Sequence, residues 1–138
     1  MIAHGLTEED VRTILASERV AIGTDGLFGG RPHPRVYGTF PRILGRYVRA
    51  ENLLSLEEAV RMMTALPARA MGLDQKGVIR PGMDADLVVF DPDVVSACAT
   101  FENPTRPPKG IYHVFVNGEC VIRDSETTGA TPGKTIRK

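Results

Sequence analysis

The sequence predicts an α+β fold, and two observations carry that reading. Up to about residue 75 the apolar residues recur at helical spacing behind threonine and serine caps. From Gly77 onward they gather into short β-branched and aromatic runs closed by turn pairs. Length bounds the answer: 138 residues, 42% hydrophobic and 25% charged, suit one globular unit with two compositional parts, 1–75 and 76–138.

The elements follow in order. Thr7 with Glu8, Glu9 and Asp10 reads as a capped helix start, and Val11, Ile14 and Leu15 give its apolar face. The apolar run RVAIGT at 19–24, bounded by turn residues, predicts a buried strand. A loop rich in glycine, proline and arginine follows. Residues 40–49, with Ile43, Leu44, Tyr47 and Val48 on one side, predict a helix softly broken at Gly45. SLEE at 55–58 has the form of a capping box, and Leu56, Ala59, Val60, Met63 and Leu66 continue it as a stripe. Pro67 suits the first turn of a second short helix and Gly72 its C-terminal cap. In the second part, GVIRPGMDADLVVFDP at 77–92 predicts a short strand, a turn at Pro81-Gly82 and a strand entered through Asp86. HVFVNGECVIR at 113–123 predicts a hairpin on the Asn117-Gly118 pair. Between them, residues 92–110 hold four of the ten prolines and predict a wandering surface connection, and the tail after Asp124 predicts extended chain.

Composition narrows the function classes. Lysine and arginine balance aspartate and glutamate at 17 each, so no overall field favours nucleic acid or an anionic membrane. No run is long and apolar enough for a membrane helix, and residues 1–7 are too short and polar for a secretory leader. Cys98 and Cys120 lack metal or redox spacing and read as buried free thiols in a reducing, cytoplasmic setting. Arg31, Arg35, Arg42, Arg46 and Arg49 fall in a stretch without acids, which keeps an anion-binding patch open as a rival; few aromatics and no tryptophan weigh against nucleic acid. His33 lies between two prolines and reads as structural, while His4 and His113 have no partner at ligand spacing. Asp25-Gly26, at the end of the 19–24 run, is by itself either a turn pair or a functional carboxylate.

Several blocks together are informative. GVIRPGMDADLVVFDP, the hairpin HVFVNGECVIRDS and the preceding LSLEEAVRMMTALPARAMGL stand in the order found at the C-terminal end of the amidohydrolase superfamily, which they resemble. GTDG at 23–26, HPRVYGTFPR at 33–42 and TGATPGKTIR at 128–137 resemble its N-acyl-D-amino-acid deacylase branch. The resemblance runs from about Leu6 to Arg137 and implies the last strand and helices of a (β/α)8 barrel, residues 1–75, joined to part of a small β-sandwich, residues 76–138. It implies a zinc-dependent hydrolysis of N-acyl-D-amino acids. It places the general base, beside the metal, at Asp25, where barrel chemistry sits just past a strand's C-terminal end. There a carboxylate takes a proton from metal-bound water and passes it to the leaving amine. It also implies that Arg35 binds the substrate carboxylate bidentately, with His33 and Tyr37 as candidates to line the same pocket.

The same resemblance exposes what 138 residues cannot hold. A (β/α)8 barrel takes about 250 residues, and a zinc site needs three or four protein ligands. The chain has three scattered histidines and no HxH pair, so Asp25 touches a metal only with ligands from outside it. The expectation is therefore part of an enzyme, inactive and without zinc on its own. Its apolar faces need a partner, either another copy in a homo-oligomer or a chain supplying the rest of the barrel. A non-catalytic interaction module and a dihydroorotase-like or imidase activity on cyclic amides remain as alternatives.

Overall fold

The computed structural model describes residues 5–17 and 19–136. It is an α+β chain: four short α-helices and a π-helix come first, and a four-stranded antiparallel sheet follows. His4 lies outside the described residues.

Helix α1, Glu8–Leu15, begins with a complete capping box. Thr7 Oγ1 accepts the Asp10 N–H at 3.1 Å, and Asp10 Oδ2 accepts the Thr7 N–H at 2.8 Å. Two otherwise orphaned donors are thus satisfied. Leu15 is buried with Val11 packed beside the core, but Ile14 is exposed. The predicted face is narrower than expected because Ile14 sits about 100° from Leu15 around a 3.6-residue turn.

Residues 19–24 are extended but join no ladder among the described residues, which corrects the predicted buried strand. Only Ile22 is fully covered, and its N–H donates to the Met62 carbonyl at 3.0 Å. Burial alternates along the run because one side faces the helices and no neighbouring strand covers the other.

Helix α2, Arg35–Arg42, starts five residues before the predicted Phe40 and runs directly into a π-helix, Ile43–Ala50. Pro41 lies inside α2, where it has no N–H for the ladder. Beyond it the bonds lengthen by one residue, as in Glu51 N–H to Arg46 O at 2.9 Å. Gly45 does not break the helix. It lies where the chain at Val95 presses in: a Cβ at Gly45 would sit 2.6 Å from the Val95 carbonyl oxygen. Ile43, Leu44 and Tyr47 are buried as their spacing predicted.

In α3, Leu56–Met63, only half of the expected capping box forms. Ser55 Oγ accepts the Glu58 N–H at 3.1 Å, but the Glu58 carboxylate turns to Arg61 at 2.7 Å. Ala59 and Met62 are fully buried, so Met62 joins the stripe that its spacing had not flagged. Helix α4, Ala65–Ala70, carries Pro67 in its first turn. Its end is a Schellman motif: Gly72 adopts φ 65°, with Gly72 N–H to Arg69 O at 3.1 Å and Leu73 N–H to Ala68 O at 2.8 Å.

The strands β1, Leu87–Phe90, β2, Ile111–Val116, β3, Glu119–Arg123, and β4, Glu126–Thr127, form a meander in sequence order. Val88 pairs with Val114 and Val114 with Ile122, and Ile122 pairs in turn with Thr127. Asn117 and Gly118 take the two positive φ angles, 49° and 80°, of the tight hairpin turn. Asp124 and Ser125 do the same at 51° and 68° without glycine, so the tail contributes a fourth strand that its composition hid. The short strand expected before Pro81 is absent; Met83 N–H closes a turn on Arg80 O at 3.2 Å, with Gly82 at φ 85°. Cys98 and Cys120 are free and half-buried rather than buried.

The 92–110 connection is less peripheral than its prolines suggest. Val95 is completely buried and belongs to one cluster with Leu15, Ile22, Leu44, Tyr47 and Met62. Gly110 meets it from the sheet side, where a Cβ would lie 2.6 Å from the Val95 nitrogen. Arg49 Nη1 donates to the Pro92 and Val95 carbonyls at 2.9 and 2.8 Å. A Gly45→Ala substitution is expected to lower stability by about 1–3 kcal/mol through overpacking against backbone, despite alanine's better helix propensity. Urea unfolding midpoints compared with an exposed control such as Gly133→Ala check this.

Charge joins α1 to the π-helix. Glu51 accepts from Arg12 at 2.8 Å and from Arg46 at 2.8 Å. Glu8 pairs with Arg42 at 2.6 Å and Arg46 at 3.0 Å and accepts the Tyr47 hydroxyl at 3.0 Å. Hydrogen bonds from Arg12 and then Arg46 hold the Glu51 carboxyl at a pKa of about 2. For Glu8, partial burial opposes ionisation, but Tyr47 and the arginines outweigh it and keep the pKa low. A carboxyl depressed in the folded state stabilises above its unfolded pKa and loses that contribution as protonation sets in. Stability should therefore fall between about pH 4.5 and pH 2, and Glu51→Gln should flatten that fall. Unfolding midpoints measured across this range for both proteins provide the check.

Candidate functional site

The loop after residues 19–24 folds back so that its two ends meet. Asp25 adopts φ 45°, a left-handed conformation that aspartate tolerates better than most residues. Gly26 follows where a Cβ would lie 3.0 Å from Val36 Cγ2, so the chain passes close over the start of α2. Gly26 N–H donates to Thr24 Oγ1 at 3.2 Å, closing the turn. Asp25 Oδ2 then lies 3.0 Å from Arg35 Nη2, although ten residues separate them.

Arg35 opens α2 after Pro34. Its backbone N–H donates to His33 Nδ1 at 3.1 Å, which leaves the other ring nitrogen of His33 to carry the proton. The Arg35 carbonyl accepts the Thr39 hydroxyl at 2.8 Å. The guanidinium is asymmetric. Nη2 meets Asp25, whereas Nε is buried and makes no hydrogen bond. A buried unsatisfied donor of this kind costs about 1–3 kcal/mol. Asp25 is 87% exposed and Arg35 40%, so their ion pair is a surface one.

His33 and Arg35 enter a cleft of about 530 Å3 between α2 and residues 97–102. Tyr37, two residues further along α2 and partly exposed, does not line it. The structure thus brings Asp25, Arg35 and His33 together and leaves Tyr37 apart. His113 lies in β2, with Nε2 3.9 Å from Asp124 Oδ1. The opposite wall was not foreseen. Arg31 Nη2 donates to the Phe101 and Glu102 carbonyls at 2.7 and 3.0 Å, and the His33 ring stands edge-on to Phe101 with centroids 5.1 Å apart. The only signal in the sequence was one aromatic residue in a polar, proline-rich connection.

The five arginines form no free basic face. Arg42 and Arg46 face Glu8 and Glu51, Arg31 and Arg49 hold backbone carbonyls, and Arg35 meets Asp25. Among the described residues no group of three histidine, cysteine, aspartate or glutamate side chains could hold a metal ion. Asp25 stands alone on its loop, and His33 Nδ1 is already engaged. The residues present do not by themselves fit zinc. No helix of the described residues is long and apolar enough to cross a membrane.

The fold and the loop that closes on itself at Asp25 and Arg35 have a family. Residues 2–122 match the amidohydrolase family, and the chain belongs to it. It is 47% identical over 134 residues to a D-aminoacylase of Alcaligenes xylosoxydans xylosoxydans, covering 96% of this chain and 28% of that protein. A solved D-aminoacylase structure described with a binuclear metal center superposes at a TM-score of 0.86 and 51% identity, over 91% of this chain and 27% of that one. An N-acyl-D-glutamate deacylase of Bordetella bronchiseptica, solved with zinc and a phosphonate inhibitor that mimics the tetrahedral intermediate, superposes at 0.81 and 50% identity over 84% and 25%. The chain spans about a quarter of the length of these relatives.

Proposed function

We propose that the chain is the C-terminal part of a zinc-dependent N-acyl-D-amino-acid deacylase. Asp25 acts as its general base and Arg35 binds the substrate carboxylate. In this reading residues 1–75 supply the last barrel strand, the active-site loop and the terminal helices, and residues 76–138 a portion of the sandwich. The run at 19–24, which joins no ladder among the described residues and donates backbone bonds only from Val20 to the Ser17 carbonyl and from Ile22 to the Met62 carbonyl, supports a strand that takes its neighbours from elsewhere. Zinc, where bound, would supply an activated water; Asp25 would touch it only together with ligands from outside this chain.

The observation that carries the proposal is the 3.0 Å contact between Asp25 Oδ2 and Arg35 Nη2. It gathers a proton acceptor and a carboxylate fork at one point. An exposed ion pair is worth at most about 1 kcal/mol, so an incoming carboxylate exchanges with Asp25 at little cost. The substrate carboxylate then occupies Arg35, its second oxygen meeting the unsatisfied Nε, and Asp25 is released. The freed carboxylate accepts a proton from the attacking water and delivers it to the departing amine, giving a carboxylate and a D-amino acid. His33 holds the Arg35 backbone, while Tyr37, which does not line the cleft, is given no part in this reading.

In the full-length zinc-loaded enzyme, Asp25→Asn is expected to lower turnover by about 10² or more, read from initial rates on N-acetyl-D-amino acids. Comparable rates would remove the assignment. Arg35→Lys is expected to raise KM about tenfold for the same substrates, since a point charge cannot replace the fork, and to change little for the decarboxylated N-acyl amine. Equal losses on both would make Arg35 a residue that merely holds the loop. The 138-residue chain alone is expected to self-associate and hydrolyse none of these substrates, as light scattering and an amine-release assay test; a monomer that turns over would contradict it.

A further inference from the structure

Helix α2 starts without a side-chain cap at its own N-cap position. Pro34 stands there and offers no side-chain acceptor, so the first N–H groups must find partners elsewhere. The Val36 N–H donates to the His33 carbonyl at 3.1 Å, and those of Tyr37 and Gly38 donate to the Pro34 carbonyl at 3.2 and 2.9 Å. The Arg35 N–H is left, and His33 Nδ1 accepts it at 3.1 Å. An imidazole nitrogen thus takes the part that a serine, threonine or aspartate oxygen plays at other helix starts. The ring is itself fixed by residues 100–103. It stands edge-on to Phe101 with centroids 5.1 Å apart, Arg31 holds the Phe101 and Glu102 carbonyls, and Thr100 Oγ1 accepts the Asn103 N–H at 3.0 Å.

Nδ1 accepts a hydrogen bond only while it carries no proton. A proton there sets one N–H against another and adds a positive charge at a helix N-terminus, where the dipole disfavours it. The charges around the ring do not offset this. Arg31 and Arg35 lie on its own loop, and Arg42 of α2, which reaches the same cleft, is paired with Glu8 of α1 at 2.6 Å. Glu102 lines the cleft from the facing segment, and Asp25 meets Arg35 at 3.0 Å. Among the described residues none of these three carboxylates forms an ion pair with the ring.

We propose that His33 is the positioning residue for Arg35 and that it makes the capture of a carboxylate by Arg35 depend on pH. The neutral ring ties down the first residue of α2; the protonated ring releases it. The inference rests on the reading of Arg35 as carboxylate binder and adds a control to it. Arg35 opens the helix, so its side chain branches from the very residue whose N–H the ring holds. The only other tie on its guanidinium is the ion pair with Asp25, which is 87% exposed and too weak to fix the arginine alone. Histidine changes charge between about pH 5 and 8, so the control falls in the range where an enzyme works. Its effect belongs to substrate binding, because the ring takes no part in the proton transfer assigned to Asp25.

The test follows the 15N-labelled 138-residue chain by NMR from about pH 8 to pH 5, with the histidine ring nitrogens and the Arg35 amide as probes. At the upper end His33 is expected to carry its proton on Nε2, and the Arg35 amide to exchange with solvent about tenfold more slowly than in His33→Leu. That protection should disappear as the ring takes up its second proton, once the intrinsic pH dependence of exchange is divided out. His33→Asn, whose amide oxygen accepts at either pH, should keep the protection and lose the pH step. In the full-length zinc-loaded enzyme, KM for N-acetyl-D-leucine, taken relative to His33→Asn, should rise about tenfold over the same interval, with the ratio of kcat values within about twofold. A neutral ring protonated on Nδ1, or an Arg35 amide that ignores the ring's titration, would overturn the proposal. So would a KM that follows pH alike in both proteins while Arg35→Lys still raises it. A failure of the Arg35 reading looks different: the amide still follows the ring, but KM responds neither to the ring nor to Arg35→Lys.

Discussion

The backbone at Val95 passes so close to Gly45 and Gly110 that neither position has room for a side chain, and the arrangement of the molecule depends on that approach. Val95 comes from a connection with no helix or ladder of its own beyond one bridge, Ser96 to Lys109. It nevertheless fills the middle of the core, between the π-helix and the start of β2. Dispersion needs contact distances, and only glycine lets two backbones reach them. Arg49 then satisfies the carbonyls that this burial would otherwise strand. Through this plug the sheet and the helices share a single hydrophobic cluster, to which Phe90 and Ile111 also pack.

Fixing the π-helix at Gly45 also fixes where its arginines point. Arg46 is shared between Glu8 and Glu51, Arg42 is given to Glu8, and both guanidiniums lie over the Tyr47 ring at 5.4 and 5.9 Å. These groups are consumed in holding α1 against the helix. Arg35, at the far end of α2, has no such fixed partner inside the fold; it has only the exposed Asp25 and a buried Nε without an acceptor. Electrostatic satisfaction elsewhere leaves Arg35 the arginine of the five least tied to the rest of the fold, which is what our proposal for it builds on.

The site loop is held from the C-terminal half as much as from its own ends. Arg31 and His33 reach across to Phe101 and Glu102, so residues 100–103 set the position of the loop that carries Arg35. A second clasp orders the sheet side. Lys76 pairs with Asp84 at 2.9 Å and with Asp86, and the other oxygen of Asp86 accepts the Asn117 N–H of the hairpin turn at 2.8 Å. The Asn117 hydrogen bond and then Lys76 keep the Asp86 carboxyl low in pKa. The aspartate that enters β1 is thus a structural tie between the α4–β1 segment and the hairpin.

Local chemistry was legible in the sequence wherever a residue acts on its own neighbours. Thr7 and Ser55 cap, Gly72 terminates α4, Asn117-Gly118 turns the hairpin, and the spacing of Ile43, Leu44 and Tyr47 buries them. The ordered motifs around Asp25 and Arg35 and through the hairpin were enough to point to the amidohydrolase family. What the sequence could not decide depends on residues far apart in the chain. A run such as 19–24 is a strand only if another extended backbone pairs along it, and none does among the described residues, where Ile22 meets only the end of α3. Gly45 reads as a helix breaker until Val95 is placed against it. Arg31, Phe101 and the contact of Asp25 with Arg35 emerge only when a proline-rich connection folds back onto the loop. Such contacts are set by how the whole core closes, and no periodicity along the chain encodes them.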